Sequence, residues 1–181
     1  MVGPLKLGAQ ALAMMGVGIL ASLLVWKLTH QTPPPKVGSA APAFSLPRLD
    51  DKGDVTLASF RGKTVVLNFF ASWCHPCQRE APDLESVWRR YRSDGVVVLG
   101  VDSGDTKGSV RSFLDAHGVT YPIVFDPGQN LALGPYAVPG LPVTYVINRA
   151  GRIVGGRVLG PVSDHGYSTT FHRNLKAALK S

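Results

Sequence analysis

The chain contains only two cysteines, Cys74 and Cys77, which lie two residues apart in ASWCHPCQREAP. Such a pair could act as a structural staple, as metal ligands or as a redox centre. A staple is the weakest of these, because a disulfide stabilises mainly by closing a long loop and this one closes almost none. Structural zinc usually needs four protein ligands, and none of the five histidines forms a ligand pair beside the cysteines. Redox chemistry without a metal or another cofactor is therefore the leading interpretation.

The cysteines fall between a predicted buried strand and a predicted helix. Residues 65–72, VVLNFFAS, form an apolar, β-branched run, and residues 74–92 carry apolar side chains at helical spacing. Cys74 would then lie at the helix N-terminus, where unpaired N–H groups and the helix dipole favour the thiolate. Cys77, one turn deeper, would be placed to attack a mixed disulfide and release the partner. The pattern predicts Cys74 as the nucleophile and Cys77 as the resolving thiol.

Four neighbours of the pair are candidates for tuning it or for contacting a substrate. Pro76 suits a first helical turn, because its missing N–H would have no partner there. A cationic His75 could lower the pKa of the first cysteine, or it could simply be exposed to solvent. Trp73 could contact a partner protein or belong to the core. Glu80 could exchange a proton with the second cysteine, or could only compensate the dipole of the first helical turn.

The rest of the domain alternates between strand and helix patterns. Apolar β-branched runs indicate strands, the first of which would be parallel to the strand before the cysteines, and apolar side chains at helical spacing indicate helices. A mixed sheet with helices on both faces and an added N-terminal β-hairpin accounts for these pieces, so the expected fold class is α/β. The predicted elements are strands at 95–101 and 121–126, helices over 109–118 and 167–179, and hairpins over 43–57 and 142–160.

An apolar segment precedes this domain. Residues 7–26 contain no charged residue, and as a helix they would span the ~30 Å hydrocarbon core of a bilayer. This predicts a single membrane-spanning signal-anchor. A cleaved signal peptide is the alternative, but the run is longer than the apolar core of such peptides. A Pro-Pro-Pro sequence then predicts a stiff spacer. The predicted organisation is a tail (1–6), an anchor (7–28), a Pro-rich linker (29–37) and a domain (38–181).

The charge balance is mildly basic. Nineteen Lys and Arg against twelve Asp and Glu give a formal net charge of +7 at pH 7. The basic residues are scattered, and no basic and aromatic array of the kind that binds nucleic acid is present. We therefore expect a solvated basic surface and no nucleic-acid partner.

Four motifs in order resemble one family. They are APAFSL (41–46), VVLNFFASWCHPCQREAP (65–82), GVVVLGVD (95–102) and GLPVTYVINRAGRIV (140–154). Over residues 38–162 the chain resembles the membrane-tethered TlpA/ResA/CcmG (DsbE) branch of extracytoplasmic thiol-disulfide oxidoreductases, in the thioredoxin superfamily. The resemblance implies a thioredoxin-like fold and a redox-active Cys74–Cys77 disulfide.

The resemblance also assigns residues outside the cysteine motif. Glu80 matches the acidic residue that this branch places three positions after the second cysteine. Pro142 matches the cis-proline that faces the redox pair, and Leu141 before it would offer backbone groups to a substrate chain. Cytochrome-maturation members often read Gly-Val-Pro-Glu-Thr here, whereas this chain reads GLPVT at 140–144. The departure favours the broader TlpA/ResA-like class.

By resemblance, the expected function is reduction of disulfides in extracytoplasmic proteins. Apocytochrome c is the expected substrate, and a transmembrane electron donor would restore the dithiol. The catalytic domain would lie on the outer side of the cytoplasmic membrane. Both reduction and oxidation of partner proteins are compatible with the motif, because the reduction potentials of proteins that contain it range from about −270 to −120 mV. The alternatives are a Cu(I)-handling dithiol protein, a reductase serving copper-centre assembly, and a thiol peroxidase, whose Pro-x-x-x-Thr-x-x-Cys site this chain lacks.

Overall fold

The computed structural model describes residues 4–29 and 32–181, which divide into two compact units between residues 32 and 33. The first unit contains one helix, α1 (Pro4–Thr29), of 26 residues. Across the ranges that the structure describes, no helix combines the length and the apolarity needed to cross a membrane. The anchor predicted over residues 7–28 is therefore not shown.

The second unit begins with the predicted hairpin. Strands β1 (Ser45–Pro47) and β2 (Asp54–Thr56) pair antiparallel in a sheet of their own, with Leu46 opposite Val55. A short 3-10 turn, Leu57–Phe60, follows and is capped by the Thr56 side chain, which accepts from the Ser59 N–H. The hairpin contributes apolar side chains to one face of the main sheet.

The main sheet has four strands, and three of them are buried along their whole length. Strand β3 runs through its centre, with β4 parallel on one side and β6 antiparallel on the other, and β5 extends the parallel side. Uniformly apolar strands form where both faces of a sheet are covered. The strands are β3 (Thr64–Phe70), β4 (Val96–Ser103), β5 (Ile123–Asp126) and β6 (Val143–Ile147).

Three long helices cover one face of this sheet, and a short helix lies with the hairpin on the other. The long helices present apolar side chains such as Leu84, Phe113 and Phe171 to the sheet. This arrangement is the mixed sheet flanked by helices that the sequence predicts. The helices are α2 (His75–Tyr91), α3 (Lys107–His117), α4 (Asn130–Leu133) and α5 (His165–Leu179).

The hairpin predicted over 142–160 forms only in part. Its first arm is β6, but its second arm meets β6 only at two isolated bridges, Ile147 with Ile153 and Thr144 with Val158. Between these bridges Gly155 takes a positive φ, and the Asn174 side chain occupies the place where a Cβ would stand. The Asn174 amide also donates to the Gly156 carbonyl at 2.8 Å. The second arm therefore leaves the ladder to receive a side chain of α5.

Glu85 fastens α2, the helix that follows the cysteines, to the segment before β5. Its buried carboxylate accepts from the Thr120 N–H at 2.7 Å and from the Thr120 hydroxyl at 2.6 Å, and also from Arg89 Nε. Burial raises the pKa of Glu85, but these hydrogen bonds outweigh it, so that the pKa lies below its usual value. The carboxylate therefore stabilises the fold at neutral pH, and the contribution is lost as the pH falls through the lowered pKa.

We expect Glu85→Gln to lower the free energy of unfolding by about 1–3 kcal/mol at pH 7, because an amide weakens hydrogen bonds that a carboxylate accepts. Urea unfolding at pH 7 measures this. Asp115→Asn is the matched control, since it removes the same charge from an exposed position on α3. Equal stability of the two variants would contradict the role of Glu85.

Candidate active site

The two cysteines form a disulfide at the N-terminus of α2. The S–S distance is 2.10 Å and the Cα atoms lie 5.2 Å apart. Cys74 is the N-cap residue, and its Sγ accepts from the Cys77 N–H at 3.3 Å. The outer sulfur thus faces the unpaired N–H groups and the positive end of the helix dipole, which favour a thiolate at this atom once the disulfide is reduced.

The residues around the disulfide differ sharply in exposure. Cys74 and Cys77 are only 5% and 1% exposed, so Cys77 is the deeper residue. Trp73 beside them is 62% exposed, which excludes the alternative that it belongs to the core. His75 is also exposed, and Pro76 is half-buried in the first turn of α2. A partner chain would therefore meet Trp73 and His75 before it meets the sulfur atoms.

Leu141 and Pro142 lie at the same edge of the sheet as the disulfide. The peptide bond between them is cis. Pro142 directly precedes β6, and Val143 pairs with Phe69 near the end of β3, from which the chain continues to Cys74. Pro142 is buried, whereas Leu141 is half-buried and contacts the hydrophobic clusters on both faces of the sheet.

Glu80 lies one turn after Cys77 on α2, and its carboxylate is held by groups from two other segments. Asn68 Nδ2 on β3 donates to Oε1 at 2.8 Å, and the Val162 N–H donates to Oε2 at 2.9 Å. Asn68 Nδ2 also donates to Thr144 Oγ1 on β6 at 3.0 Å. The network ties the redox helix to the two strands that border it.

Burial raises the pKa of Glu80 to about 7. The side chain is 1% exposed, and the missing water penalises its charged form. The hydrogen bonds from Val162 and Asn68 favour the carboxylate and lower the pKa, whereas the charges of Asp83 and Asp164 raise it. Glu80 can therefore hold or release a proton near neutral pH, one helical turn from Cys77. Compensation of the helix dipole, the alternative role for Glu80, would not require a buried carboxyl group with a raised pKa.

The loop between β3 and α2 is fastened by two further side chains. Asp105 accepts from the Ser72 N–H and from the Ser72 hydroxyl, and Gln78 Nε2 donates to the Ser72 carbonyl. Asp105 lies just beyond the end of β4, the parallel neighbour of β3. Parallel neighbours end at the same edge of a sheet, so the loop after β4 can reach the loop after β3.

Sequence reasoning missed Asn68, Thr144 and Asp105. Asn68 interrupts the otherwise apolar run VVLNFF, and a polar residue within a buried strand needs a partner. That signal was available in the sequence. Nothing in the sequence identified Thr144 or Asp105 as partners of residues more than thirty positions away.

Within residues 4–29 and 32–181, no group of three or more His, Cys, Asp or Glu side chains is arranged to hold a metal ion.

Comparison with curated proteins finds thiol-disulfide oxidoreductases of the ResA type. The chain is 40% identical over 117 residues to ResA of Geobacillus thermodenitrificans, covering 65% of this chain and 66% of that protein. It is 33% identical over 119 residues to ResA of Bacillus thuringiensis, covering 66% and 68%. The chain thus matches about two thirds of the length of these relatives.

Comparison with solved structures finds the same fold. A Chlorobium tepidum protein described as a thiol:disulfide interchange protein DsbE superposes with a TM-score of 0.71 at 30% identity, covering 80% of this chain and 99% of that one. A Bacteroides thetaiotaomicron protein described as a protein disulfide isomerase also gives a TM-score of 0.71 at 30% identity, covering 83% and 94%. These matches confirm the thioredoxin-like α/β fold that the sequence predicts.

A family model, described as the AhpC/TSA family, matches residues 37–155. This segment contains the disulfide, Glu80 and the cis-proline, and it makes up more than half of the chain. The protein therefore belongs to the AhpC/TSA family.

Proposed function

We propose that this protein is a thiol-disulfide oxidoreductase that reduces disulfides in partner proteins through Cys74. The observation that carries the proposal is the position of Cys74 as N-cap of α2, with its Sγ accepting from the Cys77 N–H. The curated relatives, named as thiol-disulfide oxidoreductases, support the same reaction. A peroxidase lacks support at the site, because Leu67 and Ala71 stand where a Pro-x-x-x-Thr-x-x-Cys motif needs Pro and Thr.

The reaction consists of two exchanges. In the reduced protein, the Cys74 thiolate attacks a disulfide of the partner, so that one partner sulfur leaves as a thiolate and the other stays bound to Cys74. Cys77 then loses its proton and attacks Cys74 Sγ, and the second partner sulfur leaves as a thiolate. Two protons convert the partner's thiolates to thiols. The protein ends as the Cys74–Cys77 disulfide, and a dithiol donor must reduce it again.

Glu80 is the group that we propose for the proton exchanged at Cys77. It is the buried carboxyl one turn from the deeper cysteine, and its pKa near 7 suits a residue that must both accept and return a proton at neutral pH. Asn68 and Val162 hold both carboxylate oxygens, which limits the conformations that Glu80 can adopt.

We propose that the partner chain docks across Trp73, His75 and Leu141, with Pro76 and Pro142 shaping the site around the disulfide. Trp73 offers a large exposed ring beside Cys74, and aromatic side chains of this kind contribute strongly to protein interfaces. Leu141 comes two residues before β6 and is joined to Pro142 by the cis peptide bond. Substrate contact with both residues would align a partner disulfide with Cys74.

We further propose an apocytochrome c cysteine pair as the substrate, a transmembrane electron donor for reduction of the Cys74–Cys77 disulfide, and a site outside the cytoplasm on an N-terminal anchor. The uncharged segment 7–26 and the motif resemblance support this placement. Identification of the partners that remain bound to a trapped variant in the native membrane tests it.

We expect Cys77→Ser to accumulate a mixed disulfide between Cys74 and its substrate, because the resolving thiol is missing. The measurement is non-reducing electrophoresis after the reduced variant reacts with insulin, whose disulfides serve as the probe. Cys74→Ser is the matched control and should form little adduct, since Cys77 is the deeper residue. More adduct with Cys74→Ser than with Cys77→Ser would reverse the assigned roles.

We expect Glu80→Gln to slow release of the partner on the order of 10²-fold, because the amide cannot take the Cys77 proton. The dependence of the release rate on an ionisation near pH 7 should disappear as well. Stopped-flow measurement of the reduced protein with insulin, from pH 5 to 9, records both effects. Asp115→Asn, at an exposed position of α3, controls for loss of a carboxylate that is not among the groups that shift the pKa of Glu80. A variant that keeps the wild-type pH profile would exclude Glu80 from the proton exchange.

A further inference from the structure

We define the redox loop as residues 71–74. Within it, the backbone and side chain of Ser72 form hydrogen bonds with side chains from other segments. The N–H and hydroxyl of Ser72 donate to Asp105 Oδ2 and Oδ1 at 2.5 and 3.0 Å, and its carbonyl accepts from Gln78 Nε2 at 2.9 Å. The Cys74 N–H donates to the Ala71 carbonyl at 3.2 Å. Asp105 is thus the only acidic side chain, within the part of the chain that the structure describes, that is hydrogen-bonded to this loop.

A second carboxyl group, that of Asp102, lies three residues before Asp105 in the chain, within β4. Asp102, near the end of β4, is completely buried, and it stands opposite Phe70, the residue before the redox loop. In the described ranges, neither of its oxygens makes a hydrogen bond of normal geometry, although the Asp105 backbone N–H is near enough to favour its ionised form. An ionised carboxylate buried without a hydrogen bond is costly, so this position favours the neutral acid.

Electrostatics act in the same direction. Burial, together with the neighbouring carboxyl of Asp105, raises the pKa of Asp102 to about 8, although the Asp105 backbone N–H acts in the opposite direction. Asp126 on β5, the other strand paired with β4, adds a smaller effect of the same sign. Two carboxyl groups placed this close do not both ionise readily. A neutral Asp102 adds no like charge beside the Asp105 carboxylate, which accepts the hydrogen bonds from Ser72.

We propose that Asp105 is a positioning residue that holds the redox loop in place for thiol-disulfide exchange at Cys74, and that ionisation of the buried Asp102 carboxyl near it disturbs this attachment. This inference rests on the proposed function of the cysteine pair. It assigns to the acidic pair at the end of β4 a part in the reaction that is distinct from the proton exchange at Glu80. Asp105 touches neither sulfur, and acts through Ser72.

The first test compares Asp105→Ala, Asp105→Asn and the exposed control Asp115→Ala. The measurement is the second-order rate constant for reduction of insulin by the reduced protein at pH 7. We expect Asp105→Ala to lower it about tenfold, since displacement of a reacting group is costly. Asp105→Asn keeps an oxygen for the Ser72 N–H, and should restore the rate to within about threefold of wild type. Asp115→Ala should match wild type.

The second test uses Asp102→Asn, whose amide imitates the neutral acid. As the pH rises through 8, wild-type Asp102 ionises, and we expect the rate of alkylation of Cys74 by iodoacetamide to deviate from a single thiol titration. Asp102→Asn should show the single titration. Because the folded pKa is raised, wild-type stability falls as the pH rises from about 4 towards 8, and Asp102→Asn should be the more stable protein at pH 9.

The outcomes separate this inference from the proposed function. If wild-type protein does not reduce insulin, the proposed function fails. If wild type is active but Asp105→Ala equals it, or if Asp105→Asn is as slow as a folded Asp105→Ala, the positioning role is wrong. Identical alkylation profiles for wild type and Asp102→Asn would exclude the role of Asp102. Should Asp105→Ala unfold, Ser72→Ala decides instead: it removes the hydroxyl that donates to Asp105, so it should lower the rate, and a wild-type rate would contradict the positioning role.

Discussion

The active site depends on a carboxyl group that the fold removes from water. Glu80 projects from the second turn of α2 into a closed space between β3, β6 and the Val162 segment. A carboxylate there would be costly without donors, and the fold supplies two, Asn68 Nδ2 and the Val162 N–H. The donors offset part of the burial penalty and leave the pKa near 7. The same contacts hold the helix that carries both cysteines against the sheet.

The topology explains why these groups meet. Strands β3 and β4 are parallel, so the loops that follow them emerge at one edge, and these loops bring Cys74 and Asp105. Strand β6 is antiparallel to β3, so that its beginning, with Leu141 and Pro142, lies at that edge too. Three segments distant in sequence thus meet around one disulfide. In the proposed reaction they supply the reacting sulfur atoms, support for the redox loop and contact with a partner chain.

Much of this arrangement follows from the sequence, because the central elements have strong local signals. The predominantly apolar runs of β3 and β4 and the helical spacing in α2 identify the unit that carries the cysteines. The strand-to-helix junction predicts Cys74 at the N-terminus of the helix, and the structure identifies it as the N-cap. The resemblance to a known branch favours one of the two roles that local patterns leave open for Glu80, and it adds Pro142, which those patterns do not single out.

Other features depend on contacts that local patterns do not contain. The second arm of the 142–160 hairpin has strand-forming residues, but the Asn174 side chain from α5 displaces it at Gly155. Helix α4 has only four residues, too few for a periodic pattern, and it forms because the Asp126 carboxylate accepts from three of its N–H groups. The acidic pair at the end of β4 is visible in GVDSGD, yet its link to Ser72 crosses thirty-three residues.

The attachment of Ser72 has a consequence for the energetics of electron exchange. Asp105 and Gln78 hold the loop through groups that are not sulfur atoms, so the backbone around Cys74 does not require an intact S–S bond to keep its shape. None of the three hydrogen bonds of Ser72 involves a sulfur atom, so opening the S–S bond does not itself break them. The oxidised and reduced proteins can then share one conformation of the redox loop. Oxidation of the dithiol would in that case carry no conformational-entropy cost for ordering this loop.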